Sequence, residues 1–154
     1  MFNKKTLTDD ISYGKYLDFI NRNNAYYIGK HFEKINLNKS EYKYLIHIYI
    51  EEGICQDDLV TMLRLDKYEV AKGIKSLVTK GYVYKIKDEK DKRKHRLYLE
   101  DKAKEIKPEF INILKNSSDI LINGFTENEK EMLQGFLIRM AENIYNEASK
   151  LKEK

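Results

Sequence analysis

The chain of 154 residues has a single cysteine, a single proline and seven glycines, no two of them adjacent. One cysteine, Cys55, excludes an intrachain disulfide framework and any paired-cysteine metal or redox motif, as in a reducing compartment. Isolated glycines exclude a glycine-rich phosphate loop, and neither HExxH nor a nucleophile elbow is present. The three histidines, His31, His47 and His95, are far apart in sequence. Nothing in these patterns points to an enzyme, a cofactor or a metal site. No apolar run approaches the roughly 20 residues of a membrane span. The opening MFNKKTLTDD lacks the apolar stretch of a secretory signal, so the expectation is a cytoplasmic protein without a membrane partner.

What is present is a core and a charge pattern. With 42% hydrophobic and 35% charged residues, the chain can bury the interior of one compact domain. Net charge is only +4, yet Lys67 to Arg96 holds eleven cations against four anions, which leaves the remainder acidic. A basic centre of this kind suits a polyanion, because Lys and Arg near phosphates displace condensed counterions. A solvated basic face is the alternative reading.

Helix punctuation is legible along the chain. Thr8-Asp9-Asp10 offers caps for a long helix running to about Lys34, with Ile11, Leu17, Ile20, Ile28, Phe32 and Ile35 at its apolar positions. Asn38 and Glu41 have capping-box spacing for a helix that runs to Gly53, a left-handed cap. Gln56 to about Leu65 reads as a short helix. Asp66 and Glu69 repeat the box, and Val70, Ile74, Leu77 and Val78 follow at helical spacing before Lys80-Gly81. The period then changes. Tyr82 to Lys87 and Arg96 to Leu99 read as an antiparallel hairpin, with the charged run KDEKDKRKHR at its tip. After Glu100-Asp101 a helix containing Pro108 runs to Gly124, with a kink expected if Pro108 lies past the first turn. Thr126 and Glu129 form a third box, opening a helix with Leu133, Phe136, Leu137, Met140 and Ile144 along one side.

Two short helices joined by a tight turn and followed by a hairpin describe a winged helix-turn-helix, mainly α with a small β-hairpin wing. From Leu37 to about Ile106 the chain resembles the MarR family of winged-helix transcriptional regulators. The resemblance rests on LNKSEYKYLIHI, on CQDDLVTMLRLDKYEVAKGIKSLVTKGYV, on the wing DEKDKRKHRLYLEDKAKEI with an Asp-x-Arg motif at Asp91-Lys92-Arg93, and on FTENEKEML before the last helix. It implies a homodimer held by the N- and C-terminal helices, bound to a pseudo-palindromic site on double-stranded DNA. The domain would then be single, with 1–35 and 101–154 as the dimerisation region and 36–100 as the DNA-binding region. Tyr68 and Glu69 stand where the family has small hydroxylic residues, so base preference does not carry over. Glu100 and Ala103 replace a common Thr and Gly at caps that other residues can supply.

The expected DNA-binding face combines Lys67, Tyr68, Lys72, Lys75 and Ser76 of the recognition helix with Lys90, Asp91, Lys92, Arg93, Lys94 and Arg96 of the wing. Arg93 would probe a minor groove, whose negative potential attracts arginine, while the other cations would meet phosphates. Asp91, two residues before Arg93, would hold its guanidinium in a bidentate grip. Glu69 reads as a cap residue rather than a base contact. The resemblance also implies a crevice for a small-molecule effector, for which Tyr26, Tyr27, His31, Tyr44 and His47 are the aromatic lining, with core filler as the alternative. Cys55 is either a redox thiol or a small buried residue. A winged-helix adaptor that binds protein and no DNA is the competing function.

Overall fold

The computed structural model describes residues 13–151, so the expected caps Thr8 to Asp10 and the apolar Ile11 lie outside the described residues. Six helices and one hairpin follow in order: α1 Tyr13–Glu33, α2 Glu41–Ile50, α3 Gln56–Leu63, α4 Lys67–Thr79, β1 Val83–Lys87, β2 His95–Leu99, α5 Asp101–Leu121 and α6 Glu127–Lys150. Residues up to 117 form one compact unit, and those from 118 a second. No helix among the described residues is long and apolar enough to cross a membrane. The fold is thus mainly helical with a two-stranded antiparallel hairpin, as the order of patterns in the sequence implies.

Three helix ends in the first unit share one hydrogen-bond pattern. After α1, Leu37 N–H donates to the Phe32 carbonyl and Asn36 N–H to that of Glu33; after α3, Leu65 and Arg64 repeat this on Val60 and Thr61; after α4, Tyr82 and Gly81 repeat it on Leu77 and Val78. Such a closure needs a left-handed residue, and Asn36 (φ 58°), Arg64 (φ 51°) and Gly81 (φ 74°) supply it. Arg64 therefore ends α3 at Leu63, two residues before the sequence pattern suggests. The helix before it also stops early. It ends at Ile50, and Gly53 (φ 91°) lies three residues beyond, inside the loop to α3.

Gly53 instead serves the sheet. Its N–H donates to the Leu97 carbonyl at 2.8 Å, Leu97 N–H returns to Ile54 at 3.0 Å, and Cys55 bridges Arg96. Residues 53–55 thereby lie alongside β2 through two hydrogen bonds and one isolated bridge. The opposite edge of β2 pairs with β1 in the register Val83 to Leu99 through Lys87 to His95. This places Val83, Leu97 and Leu99 on the core, where they meet Leu45, Ile48, Leu59, Ile74 and Leu77. Phe32 stacks on Tyr42 with ring centroids 4.7 Å apart and meets Phe110 at 4.6 Å, joining α1, α2 and α5.

The second unit is the end of α5, a turn and α6. Both halves of the Thr126–Glu129 capping box form. Not one α6 residue is buried, and Phe136, Leu137, Ile138, Ile144 and Tyr145 are exposed. In α1, Tyr13, Leu17 and Ile20 are exposed in the same way, whereas Ile28 and Phe32 belong to the core. Pro108 is the eighth residue of α5, past the first turn, where its missing N–H would cost nothing.

Candidate nucleic-acid interface

The chain enters α4 through Asp66, whose extended backbone and side chain cap the helix by accepting from Tyr68 N–H at 2.7 Å. The Glu69 half of the expected box does not form, and Glu69 stays exposed at the edge of a groove. Val70, Ile74 and Leu77 face the core as their spacing requires, but Val78 is 38% exposed. Its place on the buried stripe is taken by Gly73, which admits the Tyr44 ring directly against the α4 backbone. Lys67, Tyr68, Lys72 and Lys75 are left on the solvent face, with Tyr68 77% exposed.

Ser76 departs from that face. Half-buried, it donates to Glu41 Oε1 at 2.5 Å and so is committed to α2 rather than turned outward. The groove beside it, about 470 Å³, runs between the start of α2 (Asn38, Lys39, Ser40) and the Glu69, Lys72, Gly73, Ser76 stripe of α4. At the head of that groove the Asn38–Glu41 box is complete. Asn38 Oδ1 accepts from Ser40 and Glu41 N–H at 2.9 and 3.0 Å, and Glu41 Oε2 accepts from Asn38 N–H at 2.7 Å.

The wing tip is built around a residue that counts in the sequence only as one of four anions. Asp88 is 7% exposed; its Oδ1 accepts from the N–H groups of Lys90 and Asp91, both at 2.9 Å, and its Oδ2 from Arg96 Nε at 2.5 Å. The two backbone donors and the guanidinium hold its carboxyl well down, at about 2. Arg96 continues the chain of bonds, donating from its second nitrogen to the Gly53 carbonyl at 3.0 Å. Arg96 is thus also a strap between the wing and the loop before α3, while its side chain stays 46% exposed. Lys85 adds a second strap to α3 through Gln56 at 2.8 Å.

Beyond the strap, Arg93 stands clear. Its side chain is 91% exposed, and Asp91 receives Nε at 3.1 Å and a terminal nitrogen at 3.2 Å, the bidentate grip expected from the spacing. Asp91 also accepts from Arg93 N–H, and these bonds hold its carboxyl below the usual carboxylate range. Lys90, Lys92 and Lys94 are exposed around it. The wing thus presents four cations on a turn whose backbone is fixed by two buried or half-buried acids.

The five aromatic residues assigned to an effector crevice do not share one environment. Tyr26 is 70% exposed, Tyr27 and His31 contact each other along α1 at 4.5 Å, and His47 is half-buried on α2. Tyr44 is corrected to core: it is 1% exposed because the missing side chain of Gly73 makes room for its ring. Cys55 is buried at the N-terminus of α3. Among the described residues no group of three or more His, Cys, Asp or Glu is placed to hold a metal ion.

Asp88, Arg96 as a strap, and the Glu41–Ser76 bond escaped the sequence reading. For Asp88 a signal existed, since an Asp two and three residues before free N–H groups is the pattern of an Asx turn. For the bonds of Glu41 to Ser76 and Lys80 none did, because those partners lie 35 and 39 residues away.

Residues 35–94 match the MarR family. Over 113 residues the chain is 33% identical to the HTH-type transcriptional regulator YybA of Bacillus subtilis (strain 168), a stretch covering 73% of this chain and 75% of that one. The structure of a MarR transcriptional regulator from Methanosarcina mazei Go1 superposes with a TM-score of 0.84 at 32% identity, over 86% of this chain and 96% of the other. A MarR family regulator from Listeria monocytogenes, complexed with 26mer DNA, superposes equally well, at a TM-score of 0.84 and 28% identity, over 96% of this chain and 97% of its own. Fold, order of motifs and identity converge, and the chain belongs to the MarR family of winged helix-turn-helix transcriptional regulators.

Proposed function

We propose that this protein is a sequence-specific DNA-binding repressor that acts as a homodimer on a pseudo-palindromic operator. The observation that carries the reading is the pairing of two cationic surfaces on one scaffold: the Lys67, Tyr68, Lys72, Lys75 face of α4, and a wing tip on which Arg93 is aimed by Asp91. A helix with such a face fits a major groove, and an arginine on a fixed turn fits the adjacent minor groove. Lys90, Lys92 and Lys94 would contact phosphates and place the protein without reading sequence. The regulator from Listeria monocytogenes, complexed with 26mer DNA, supports DNA binding by similarity.

The exposed apolar residues of α1 and α6 are the proposed dimer contact, with 1–35 and 101–154 as the dimerisation region and 36–100 as the DNA-binding region. Two copies would set their α4 helices about one DNA turn, roughly 34 Å, apart. A small-molecule effector that prefers a dimer with a different spacing would release the operator. Tyr26, Tyr27, His31 and His47 remain its aromatic contacts, and the protein works in the cytoplasm without a cofactor.

Selection of bound sequences from random DNA with purified protein tests the reading. Affinity for the selected duplex should fall with salt at a slope near −0.9 per phosphate contact on a logarithmic plot. Absence of any shift at low salt would sink the proposal in favour of a winged-helix adaptor for proteins. Arg93→Ala is expected to cost about 1–3 kcal/mol of operator affinity, with the oligomeric state unchanged in sedimentation. Asp91→Ala makes the wing more positive yet should weaken operator binding several-fold, because the grip that directs Arg93 is lost. Tighter and equally selective binding by that variant would show that the carboxylate only dilutes the charge.

A further inference from the structure

Glu41 has no exposed surface at all. Its Oε1 accepts from Ser76 Oγ at 2.5 Å, and its Oε2 accepts from Lys80 Nζ at 2.8 Å and Asn38 N–H at 2.7 Å. Burial alone would push this carboxyl up, but Lys80, Ser76 and Asn38 together hold it below the usual range, so it stays ionised. Lys80 also donates to the Asn36 carbonyl at 2.9 Å, and its own carbonyl accepts from Lys102 Nζ at 2.7 Å. Directional bonds therefore fasten the C-terminal half of α4 to the first turn of α2, to the loop before it and to the start of α5.

Apolar packing does only part of this work. Ile74 and Leu77 bury α4 and the Tyr44 ring seats on Gly73, but hydrophobic contact is non-directional and sets rotation about the helix axis less sharply than hydrogen bonds do. A rotation of about 20° carries side-chain tips at about 6 Å from the axis through about 2 Å. Hydrogen bonds to bases do not tolerate such a shift. Ser76 sits one turn beyond Lys72, and both line the groove at the α2 terminus. Tethering Ser76 from below thus fixes where Lys72 and its neighbours point.

We infer that Glu41 is a positioning residue for sequence reading: through Ser76 and Lys80 it fixes the rotation of α4, and so sets which base edges Tyr68, Lys72 and Lys75 reach. The inference rests on the DNA-binding reading above. It goes beyond that reading by assigning selectivity to an acid that touches no DNA.

The test compares full-length wild type, Glu41→Gln, Ser76→Ala and Glu41→Gln/Lys80→Met on two duplexes, one selected from random DNA with wild type and one scrambled at equal length. Affinity for the scrambled duplex should stay within about twofold in every variant, since the phosphate-contacting lysines are untouched. Preference for the selected duplex should fall about tenfold in Glu41→Gln and several-fold in Ser76→Ala. The double variant removes the unpaired buried charge, so its melting temperature should recover towards wild type while its preference does not. Preference that recovers with stability, or wild-type preference in Ser76→Ala together with Glu41→Gln, would overturn the inference and leave Glu41 a stability residue. If Glu41→Gln does not fold, Ser76→Ala, which keeps the ion pair, decides alone. A wild-type protein that selects no sequence would instead bring down the DNA-binding reading itself.

Discussion

Gly73→Ala is expected to destabilise the protein, although the same exchange in an ordinary helix interior stabilises by about 1 kcal/mol. A Cβ at position 73 would lie 2.1 Å from Tyr44 Cε2, 2.7 Å from Cδ2 and 3.1 Å from Cζ. These are ring atoms of a side chain that is 1% exposed and held among core neighbours, so the ring has nowhere to swing. Overpacking of a core costs about 1–3 kcal/mol and occasionally more, and a contact this short belongs at the upper end. After subtraction of the helix gain, a net loss of about 2 kcal/mol is expected, read as a drop in melting temperature of about 5 °C. Tyr44→Leu removes the clashing ring edge, so Gly73→Ala should cost far less in that background, and the coupling between the two sites should be measurable in a double-mutant cycle. A higher melting temperature for Gly73→Ala alone would show that the close contact is not what keeps glycine there.

The same position illustrates how far the sequence could be read. Spacing of Val70, Ile74 and Leu77 fixes the buried stripe of α4, but periodicity scores a glycine as nothing and a valine as core. It therefore chose Val78 over Gly73, whose contribution is room for Tyr44 rather than a side chain of its own. Caps were legible wherever the bonds are local. The boxes of Asn38–Glu41 and Thr126–Glu129 close as their spacing implies. At Asp66 only the first half does, since Glu69 has solvent as a competing partner. Helix ends were less legible, because Arg64 takes a left-handed conformation that sequence assigns to glycine, and Gly53 is drawn to the β2 edge.

For the interface, the cations and Asp91 were legible, and the two acids that act across tertiary distance were not. Asp91 announces itself by lying two residues before Arg93 in an otherwise basic run. Glu41 and Asp88 act across tertiary distance, through Ser76 and Lys80 in one case and Arg96 in the other. Each lowers the positive field that attracts DNA by one charge and in return fixes the direction of the cations that remain.

Asp88→Ala is accordingly expected to lower operator affinity roughly a hundredfold, the upper end for loss of one groove-reading arginine, even though it adds a positive charge to the wing. Without the carboxylate, the N–H groups of Lys90 and Asp91 lose their acceptor, the turn that presents Arg93 opens, and Arg96 keeps only the Gly53 carbonyl. Non-specific affinity should hold or rise, because the lysines are still present and the field is stronger. Acid titration offers a second view of the same carboxylate. Its value in the folded protein, about 2, lies below the ordinary 3.8, so the order it gives the wing is complete above about pH 4 and is lost as pH falls through about 2. Backbone amide resonances of Lys90 and Asp91 should therefore hold their positions from neutrality to about pH 4 and then move together towards those of Asp88→Asn, a variant that should show the loosened turn already at pH 7. Amides that move between pH 5 and 7 would assign the turn to another group, and an Asp88→Ala protein that binds its operator as well as wild type would remove the strap from the reading mechanism.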